Sequence, residues 1–392
     1  MIQSTSKVEC YYQVDGDNSE AYTLKGKNAL GRDFLIIGQK SYSNGTSGST
    51  AGSRCSVHIV ATEDHTEVQI NPSAAILLSN GNSSSAPITI MLNKGETYAI
   101  ASYNVQATMN LIGTTITSSK PIAVTINDDS VMLNSNADCI GEQILPTDFA
   151  GTKFIVVSGG YRYDACIIFA LQNNTQITTS QGGIYNINRG SYQTISMNGV
   201  NAMSIQTSQP VMVFQILSTV SGSGEMGGSI VPHVECTGSS IAGYKSYSSS
   251  YNLYINLITK KSNISHFAIN GVGLSASSFL PVDESDEYYY ARVQKQASST
   301  PYVVTCSSGL FQMGVTEGNS YTSSTYGFFS DYAEQVPILV DVNSMPVDSV
   351  YYTNRTESLS LFAHPESGFD LSNIEWTLPD GSKRYGSTLN LG

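Results

Sequence analysis

The chain repeats itself, and this constrains its fold more than any other feature. The segment Gly31–Asp128 recurs, shortened, at Gly151–Leu217, and a fainter third copy runs from Gly243 to Glu317. Val57–Val68 aligns without a gap on Cys166–Ile177, and Ile116–Val124 on Ile205–Val213. Shared turns at shared spacing imply one structural module used several times. The expected division is a lead-in strand at 1–30, modules at 31–138, 139–235 and 236–333, and a different segment at 334–392.

Within each module, short runs of Val, Ile, Tyr, Phe and Thr alternate with Gly, Asn and Ser clusters, while helical periodicity is nearly absent. In the first module strands are predicted at Asp33–Ile37, Ser56–Ala61, Glu67–Ile70, Ile88–Met91, Thr97–Ala101, Ala107–Ile116 and Ile122–Ile126. Such density of short strands predicts an all-β chain of tandem antiparallel β-sandwich modules. Pro121 and Pro210 are expected just before or at the start of a strand, where a missing N–H costs least. Lys94-Gly95-Glu96 and Arg189-Gly190-Ser191 read as equivalent tight turns. The Ser-rich stretches Ser41–Ser53 and Ser79–Ser85 read as surface loops.

After Phe329 the repeat ends. A lone Trp376 ahead of Pro379-Asp380-Gly381 looks like the early strands of an immunoglobulin-like or PKD-like sandwich. About 55 residues remain for it, fewer than such a sandwich needs, so the segment is expected to be partial and the parent protein longer. The opening residues show neither the basic nor the apolar region of a signal peptide.

A net charge of −12 argues against a sequence-independent grip on nucleic acid, whose phosphates require clustered Lys and Arg. The longest basic run is Lys260-Lys261, and no apolar stretch reaches bilayer-spanning length, so no membrane insertion is expected. Charged residues are only 13%, and a surface of Ser, Thr, Asn and Gly suits an extracellular protein. The six cysteines form no CxxC or CxxH pair, which speaks against a zinc site and leaves disulfides or buried thiols. Cys166 aligns with Val57 and Leu253, so a core position is predicted for it. Cys139 and Cys236 sit in comparable connectors and are a candidate disulfide across two modules.

The motifs for chemistry are weak. Gly222–Gly227 matches GxGxxG, but Gly228-Ser229-Ile230-Val231-Pro232 is a poor helix start and Glu225 puts negative charge where a pyrophosphate belongs. His58 aligns with Ile167 and Tyr254, which predicts packing, and His65 aligns with turn residues Asn174 and Lys261. No GxSxG elbow occurs. The carboxylates at Asp128-Asp129 and Asp283–Glu287 read as solvated charge rather than a facing catalytic pair. Asp15, Asp17, Asn18 and Glu20 form the one oxygen-rich turn with calcium-like spacing, without the length of an EF-hand loop. No other cofactor is indicated.

The connector Ile144–Val156, the link Ile230-Val231-Pro232, Gly243-Tyr244 and the strand Val57–Val68 together resemble the amino-terminal domain of the IgG Fc-binding protein family. The opening Tyr22–Gly31 looks like bacterial members, particularly surface proteins of Bacteroidetes with PKD-like domains downstream. The likeness covers roughly residues 22–330 and lies in strands and turns. It implies a non-enzymatic extracellular binding or adhesion module, with a protein or glycan partner of mucin or immunoglobulin type. The third repeat departs most, with Gly309-Leu310 where the others have Lys120-Pro121 and Gln209-Pro210.

Tyrosine is abundant, 24 residues against a single Trp. Tyr161, Arg162 and Tyr163, and Tyr288, Tyr289 and Tyr290, are candidate ligand contacts because Tyr combines large area with a polar tip. The same clusters also fit half-buried strand faces. The alternatives are a carbohydrate-active enzyme or its accessory module, with two carboxylates facing across a pocket, and a structural spacer of a larger surface protein.

Overall fold

The structure is a computed structural model that describes residues 8–14, 20–46, 52–133, 136–159, 163–218, 226–234, 237–246, 251–318, 324–330, 332, 338–343, 345–347, 359–365, 375–378 and 383–391. It divides into two compact units between residues 333 and 334. Among the described residues the chain is all β, with helical structure confined to short 3₁₀ turns.

The lead-in is a hairpin of β1 (Tyr11–Val14) and β2 (Glu20–Thr23). Module 1 follows with β3 (Gly31–Leu35), β4 (Cys55–Ala61), β5 (Thr66–Asn71), β6 (Ile76–Leu77), β7 (Ser83–Ser84), β8 (Ile88–Leu92), β9 (Thr97–Ala101), β10 (Thr115–Leu133) and β11 (Asn136–Ile144). Module 2 holds β12 (Gly151–Val157), β13 (Ala165–Ala170), β14 (Thr175–Thr179), β15 (Ile184–Ile187), β16 (Tyr192–Ser196), β17 (Ala202–Ser218) and β18 (Met226–Val231).

Both modules share one topology, β8-β5-β10-β4-β9 in the first and β15-β14-β17-β13-β16 in the second. The long strand organises each. The first half of β10 pairs with β5 and β3, and its second half with β4 and β11, so one bent strand belongs to both layers and the sheet nearly closes on itself. Strand β17 does the same with β14, β12, β13 and β18.

Two sequence expectations are corrected here. Ala107–Ile116 is not a strand, since Ala107–Met109 is a 3₁₀ turn and β10 begins only at Thr115. Pro121 lies inside β10 and Pro210 inside β17, neither before a strand; for Pro121 the reason is visible. It is tolerated because it falls in the gap between Thr117 and Ile122, where the ladder changes partners and needs no N–H. A side-chain hydroxyl secures the bend in both modules: Ser118 Oγ donates to Lys120 O at 2.8 Å and Thr207 Oγ1 to Gln209 O at 2.7 Å.

The reversal after β4 is also shared. His65 and Asn174 both sit in the left-handed region, with φ of 55° and 57°. Across the sheet, Gly95 and Gly190 take φ of 83° and 80° and donate to Ala61 O and Ala170 O.

Module 3 comprises β19 (Ile241–Tyr244), β20 (Asn252–Lys260), β21 (Phe267–Ile269), β22 (Val272–Gly273), β23 (Leu280–Pro281), β24 (Tyr288–Gln296), β25 (Tyr302–Cys306), β26 (Phe311–Gly318) and β27 (Ser324–Phe328). Here the long strand is broken into β25 and β26, and the layers separate into sheets β19-β25-β21-β22 and β23-β24-β20-β26-β27. Counted from Pro121, Pro210 and Leu310, the residues opposite the next position are Ala61, Ala170 and Thr259. Val57 and Cys166 therefore correspond to Ile255, not Leu253, and His58 and Ile167 to Asn256, not Tyr254. A two-residue slip preserves the in-out alternation, which is why apolar pattern alone cannot detect it.

The modules do not hang as beads. Buried residues of modules 1 and 2 form one continuous core that also takes in Ile258, Tyr288, Tyr290 and Tyr326 of module 3. The interior of module 3 forms a second core that includes Ala21 of the lead-in. Cys166 is fully buried, and burial pushes its thiol up to about 12.

In the second unit, β28 (Ile338–Val342), β29 (Met345–Val347), β30 (Leu359–Pro365) and β33 (Thr388–Leu391) form a sheet of order β29-β28-β30-β33. Strands β31 (Glu375–Thr377) and β32 (Lys383–Tyr385) pair separately. Trp376 is half-buried and its indole N–H donates to Gly386 O at 2.7 Å.

Candidate functional site

Two places hold unusual chemistry, the junction of the modules and a cleft at the broken strand. At the junction the last strand of each module takes part: β11 packs on β18 and β18 on β27, while β2 lies against both β27 and β11. Lys25, just after β2, is buried and its Nζ meets Glu142 Oε1 at 2.5 Å. The other oxygen of Glu142 accepts from Ser229 Oγ at 2.7 Å and Ile230 N at 3.0 Å, so one carboxylate ties lead-in, module 1 and module 2 together. Lys25 Nζ also lies 4.8 Å from the ring centre of Tyr332, whose hydroxyl donates to Ile230 O. Burial lowers the Lys25 pKa, and Glu142 opposes that shift.

Glu20 belongs to this junction, which corrects its assignment to a calcium turn. It is buried, with Oε1 accepting from Ala21 N at 2.8 Å and Oε2 from Gly141 N at 3.1 Å. Burial raises its pKa well above the ordinary carboxyl value. Both oxygens are thus spent on main-chain donors, and a group that burial favours as the neutral acid is a poor ligand for a hard cation. Asp15, Asp17 and Asn18 lie outside the described residues. Among the described residues no cluster of three or more His, Cys, Asp or Glu could hold a metal ion.

Module 3 meets module 2 through polar contacts as well. Tyr326 Oη donates to Gln215 Oε1 at 2.7 Å, Arg292 Nη1 donates to Ser158 O at 2.5 Å, and Lys153 Nζ pairs with Glu287 at 2.5 Å. The candidate Tyr residues fall along this seam. Tyr288 and Tyr290 are 9% and 8% exposed, and Lys153 Nζ lies 4.9 Å from the Tyr288 ring centre. Tyr290 packs into the core, and Tyr288 packs there and also lines the cleft at the broken strand. Tyr289 is half-buried against the module 3 core and donates to Asp286 Oδ1 at 2.5 Å beside Lys261, which pairs with the same carboxylate. Tyr163 is half-buried, while Tyr161 and Arg162 lie outside the described residues. Cys236 also lies outside them, so the pairing with Cys139 does too.

The cleft has a volume of about 290 Å³ and opens where β25 and β26 part. From Val304 to Phe311 the chain is one residue longer than from Ile116 to Ile122, and the extra length loops out. Asn263 fills the space beside Gly309, where a Cβ would come within 2.4–2.7 Å of the Asn263 amide. Asn263 Nδ2 donates to Thr259 Oγ1 at 3.1 Å, and Thr259 Oγ1 to Leu310 O at 3.0 Å. On the opposite wall Gln312 Nε2 donates to His233 O at 2.9 Å and Thr237 Oγ1 at 2.7 Å. Val234, Ile258, Tyr288, Leu310 and Phe311 complete the lining, with Lys260 at the rim. Sequence alone flagged Gly309-Leu310 as a departure from the repeat. It gave no signal for Asn263, in the 3₁₀ turn after β20, or for Gln312, in β26 just past the break.

The fold defines a class: an all-β repeat protein whose modules share buried, charge-stitched junctions and so act as one body. The model of the family described as IgGFc binding protein matches residues 20–327, and the chain belongs to that family. The IgGFc-binding protein of Homo sapiens is 33% identical to it over 87 residues, which are 21% of this chain. The chain spans 2% of the length of that relative.

Proposed function

We propose that this chain is a non-enzymatic recognition module that binds a macromolecule outside the cell, a protein or glycoprotein in the first place. The observation that carries the reading is the extent of the family match. Residues 20–327 run from the second lead-in strand through all three modules stitched together at the junction, so the unit that recognises is the fused body and not a single repeat. The name of the human relative makes the Fc portion of immunoglobulin G the first partner to try. A mucin glycoprotein is the second.

The placement of the perturbed acids favours binding over catalysis. Burial raises the pKa of Glu20, Asp128 and Glu317, and none of these three lines the cleft. Asp128 is held by Gln39, Asn44 and Asn110 amides at 2.6, 2.6 and 2.9 Å, the environment of a structural acid.

The test is surface plasmon resonance of the chain against Fc fragment, mucin and bacterial polysaccharide, in calcium and in chelator. Saturable binding to Fc or mucin is the expected result. No binding to any of the three in either condition overturns the reading and leaves a spacer role. Binding only in calcium identifies a cation-dependent interface and revives the turn at Asp15, Asp17 and Asn18 as its source.

A further inference from the structure

The cleft at the broken strand has a selectivity that can be read from its walls. Its volume of about 290 Å³ lies at the lower end of the range of ligand pockets, ~300–1,000 Å³, so it suits one side chain rather than a cofactor. The polar groups that line it are occupied with each other. Thr259, Asn263 and the Gln312 amide nitrogen all spend their donors on neighbouring protein oxygens. Gln312 Oε1 has no partner among the described residues, but that atom is itself buried and offers nothing to a ligand. A sugar or nucleotide entering here gives up hydrogen bonds to water and finds few in return, which costs free energy for every hydroxyl desolvated. An apolar group meets the exposed Leu310 and the half-buried Val234 and gives up no hydrogen bond to water.

The mouth adds a charge. Lys260 is exposed and is the one charged residue of the lining. Nearby cations are already neutralised, Lys153 by Glu287 and Lys261 by Asp286, whereas Lys260 has no ion-pair partner among the described residues. Lys260 is thus a cation at the mouth that a partner's carboxylate can pair with. Leu310, 53% exposed, lies beside it at the mouth and is a large apolar side chain that a partner can cover. The walls are also fixed in advance, since Asn263 and Gln312 pin both sides of the break, so little ordering is required on binding.

We propose that this cleft is the anchor site for one apolar side chain, Leu-like or Phe-like, presented next to a carboxylate in an extended segment of the partner protein. The proposal rests on the protein-binding reading above and specifies where part of that recognition occurs. Interfaces concentrate their energy in such anchors seated in desolvated pockets. The carboxylate meeting Lys260 sets register and ionic-strength dependence more than affinity.

The experiment uses the full chain with fluorescein-labelled pentapeptides, read by anisotropy: Glu-Glu-Leu-Glu-Glu, the same peptide with central Gly, and Lys-Lys-Leu-Lys-Lys. The acidic Leu peptide is expected to bind at least about tenfold more tightly than the other two. Leu310→Asp and Lys260→Glu, both at exposed positions, are each expected to abolish that preference with the thermal unfolding midpoint unchanged, and Lys260→Glu to favour the basic peptide. Equal binding of the Gly and Leu peptides, no binding of any peptide at millimolar concentration, or unaltered binding in both variants overturns the proposal. So does competition by N-acetylglucosamine or methyl galactoside, which assigns the cleft to sugars. Failure of the cleft is separable from failure of the wider reading. If Leu310→Asp still binds Fc or mucin as the parent does while the peptides never bind, the anchor site is wrong and protein binding stands.

Discussion

One strand position separates the three modules. Module 1 holds His58 there, exposed, with Nε2 2.9 Å from Ser56 Oγ. Module 2 holds Ile167, 1% exposed, and module 3 holds Asn256, 3% exposed. The backbone pairing is the same in all three, so the difference lies in what covers the second face. In β4 burial alternates, the mark of a sheet with one face in water, whereas every residue of β13 is buried and β20 is buried from Ile255 to Thr259. Module 1 is therefore an end of the stack at β4, and modules 2 and 3 are each packed on both sides. At its other edge, β11, module 1 meets both the lead-in, through Lys25, and module 2, through Ser229 and Ile230, with Glu142 holding the two together.

The largest effect is expected at that edge. Lys25→Met leaves the Glu142 carboxylate buried without its cation, and breaking a buried pair in this way costs about 3–5 kcal/mol. Urea denaturation of the residue 1–333 unit is the measurement. A loss below about 1 kcal/mol shows that water reaches Glu142 and that the lead-in does not close module 1. Adding Glu142→Gln to the Lys25→Met chain is expected to recover part of the loss, because the amide carries no charge to bury.

The comparison itself is tested by paired truncations. Ile167→Ala should cost about 2–5 kcal/mol, the range for emptying a packed core position. His58→Ala should stay within about 0.5 kcal/mol, as for an exposed surface change. Similar losses at the two sites would mean that the β4 face is covered in solution, and would point to association of the chain through it. Asn256→Leu is informative in the other direction. Its amide is buried with no hydrogen-bond partner among the described residues, so replacement by an apolar side chain should be neutral or stabilising.

Much of this was legible from residues, and the limits have physical reasons. Strands β4, β5, β8 and β9 fall within a residue of where alternation places them. The same holds for the turns at Gly95 and Gly190 and for buried Cys166. What failed was anything depending on a second layer. The unbroken run of β10 through Pro121 follows from a change of partner strands, which no local signal records. Sequence left Tyr288 and Tyr290 open between contact area and half-buried strand face, because a strand facing another module has the same composition as one facing a ligand. Glu20 read as a metal ligand because its acidity and spacing are visible in sequence, while the amide donors of Ala21 and Gly141 that claim it are not.

A pH effect probes the far side of the stack, where the lead-in lies on module 3. Tyr11 packs edge-on against Phe329 at 5.5 Å, and Gln13 Nε2 donates to Tyr244 Oη, which donates in turn to Glu317 Oε2 at 2.8 Å. Burial raises the Glu317 pKa to about 7, and the hydrogen bond from Tyr244 opposes that rise. The folded value lies above the unfolded one, so the native state holds the proton more tightly. The contribution to stability is complete below the ordinary carboxyl range and is lost as pH rises through about 7. Denaturation midpoints between pH 5 and 8 should fall with pH in the parent and fall less in Glu317→Gln. Identical slopes would place the proton elsewhere.

The smallest effect distinguishes a shared backbone from shared chemistry. His65 and Asn174 occupy the same turn with φ of 55° and 57°, a region that Asn tolerates better than most residues because its short side chain hydrogen-bonds locally. If the turn is a matter of backbone geometry alone, His65→Asn should be neutral or stabilising by no more than about 0.5 kcal/mol, and partner binding should not change. A larger loss, or a change in binding, would mean that the imidazole of module 1 does something that module 2 does not ask of Asn174. The exposed end of the stack would then differ from its neighbour in function and not only in what covers it.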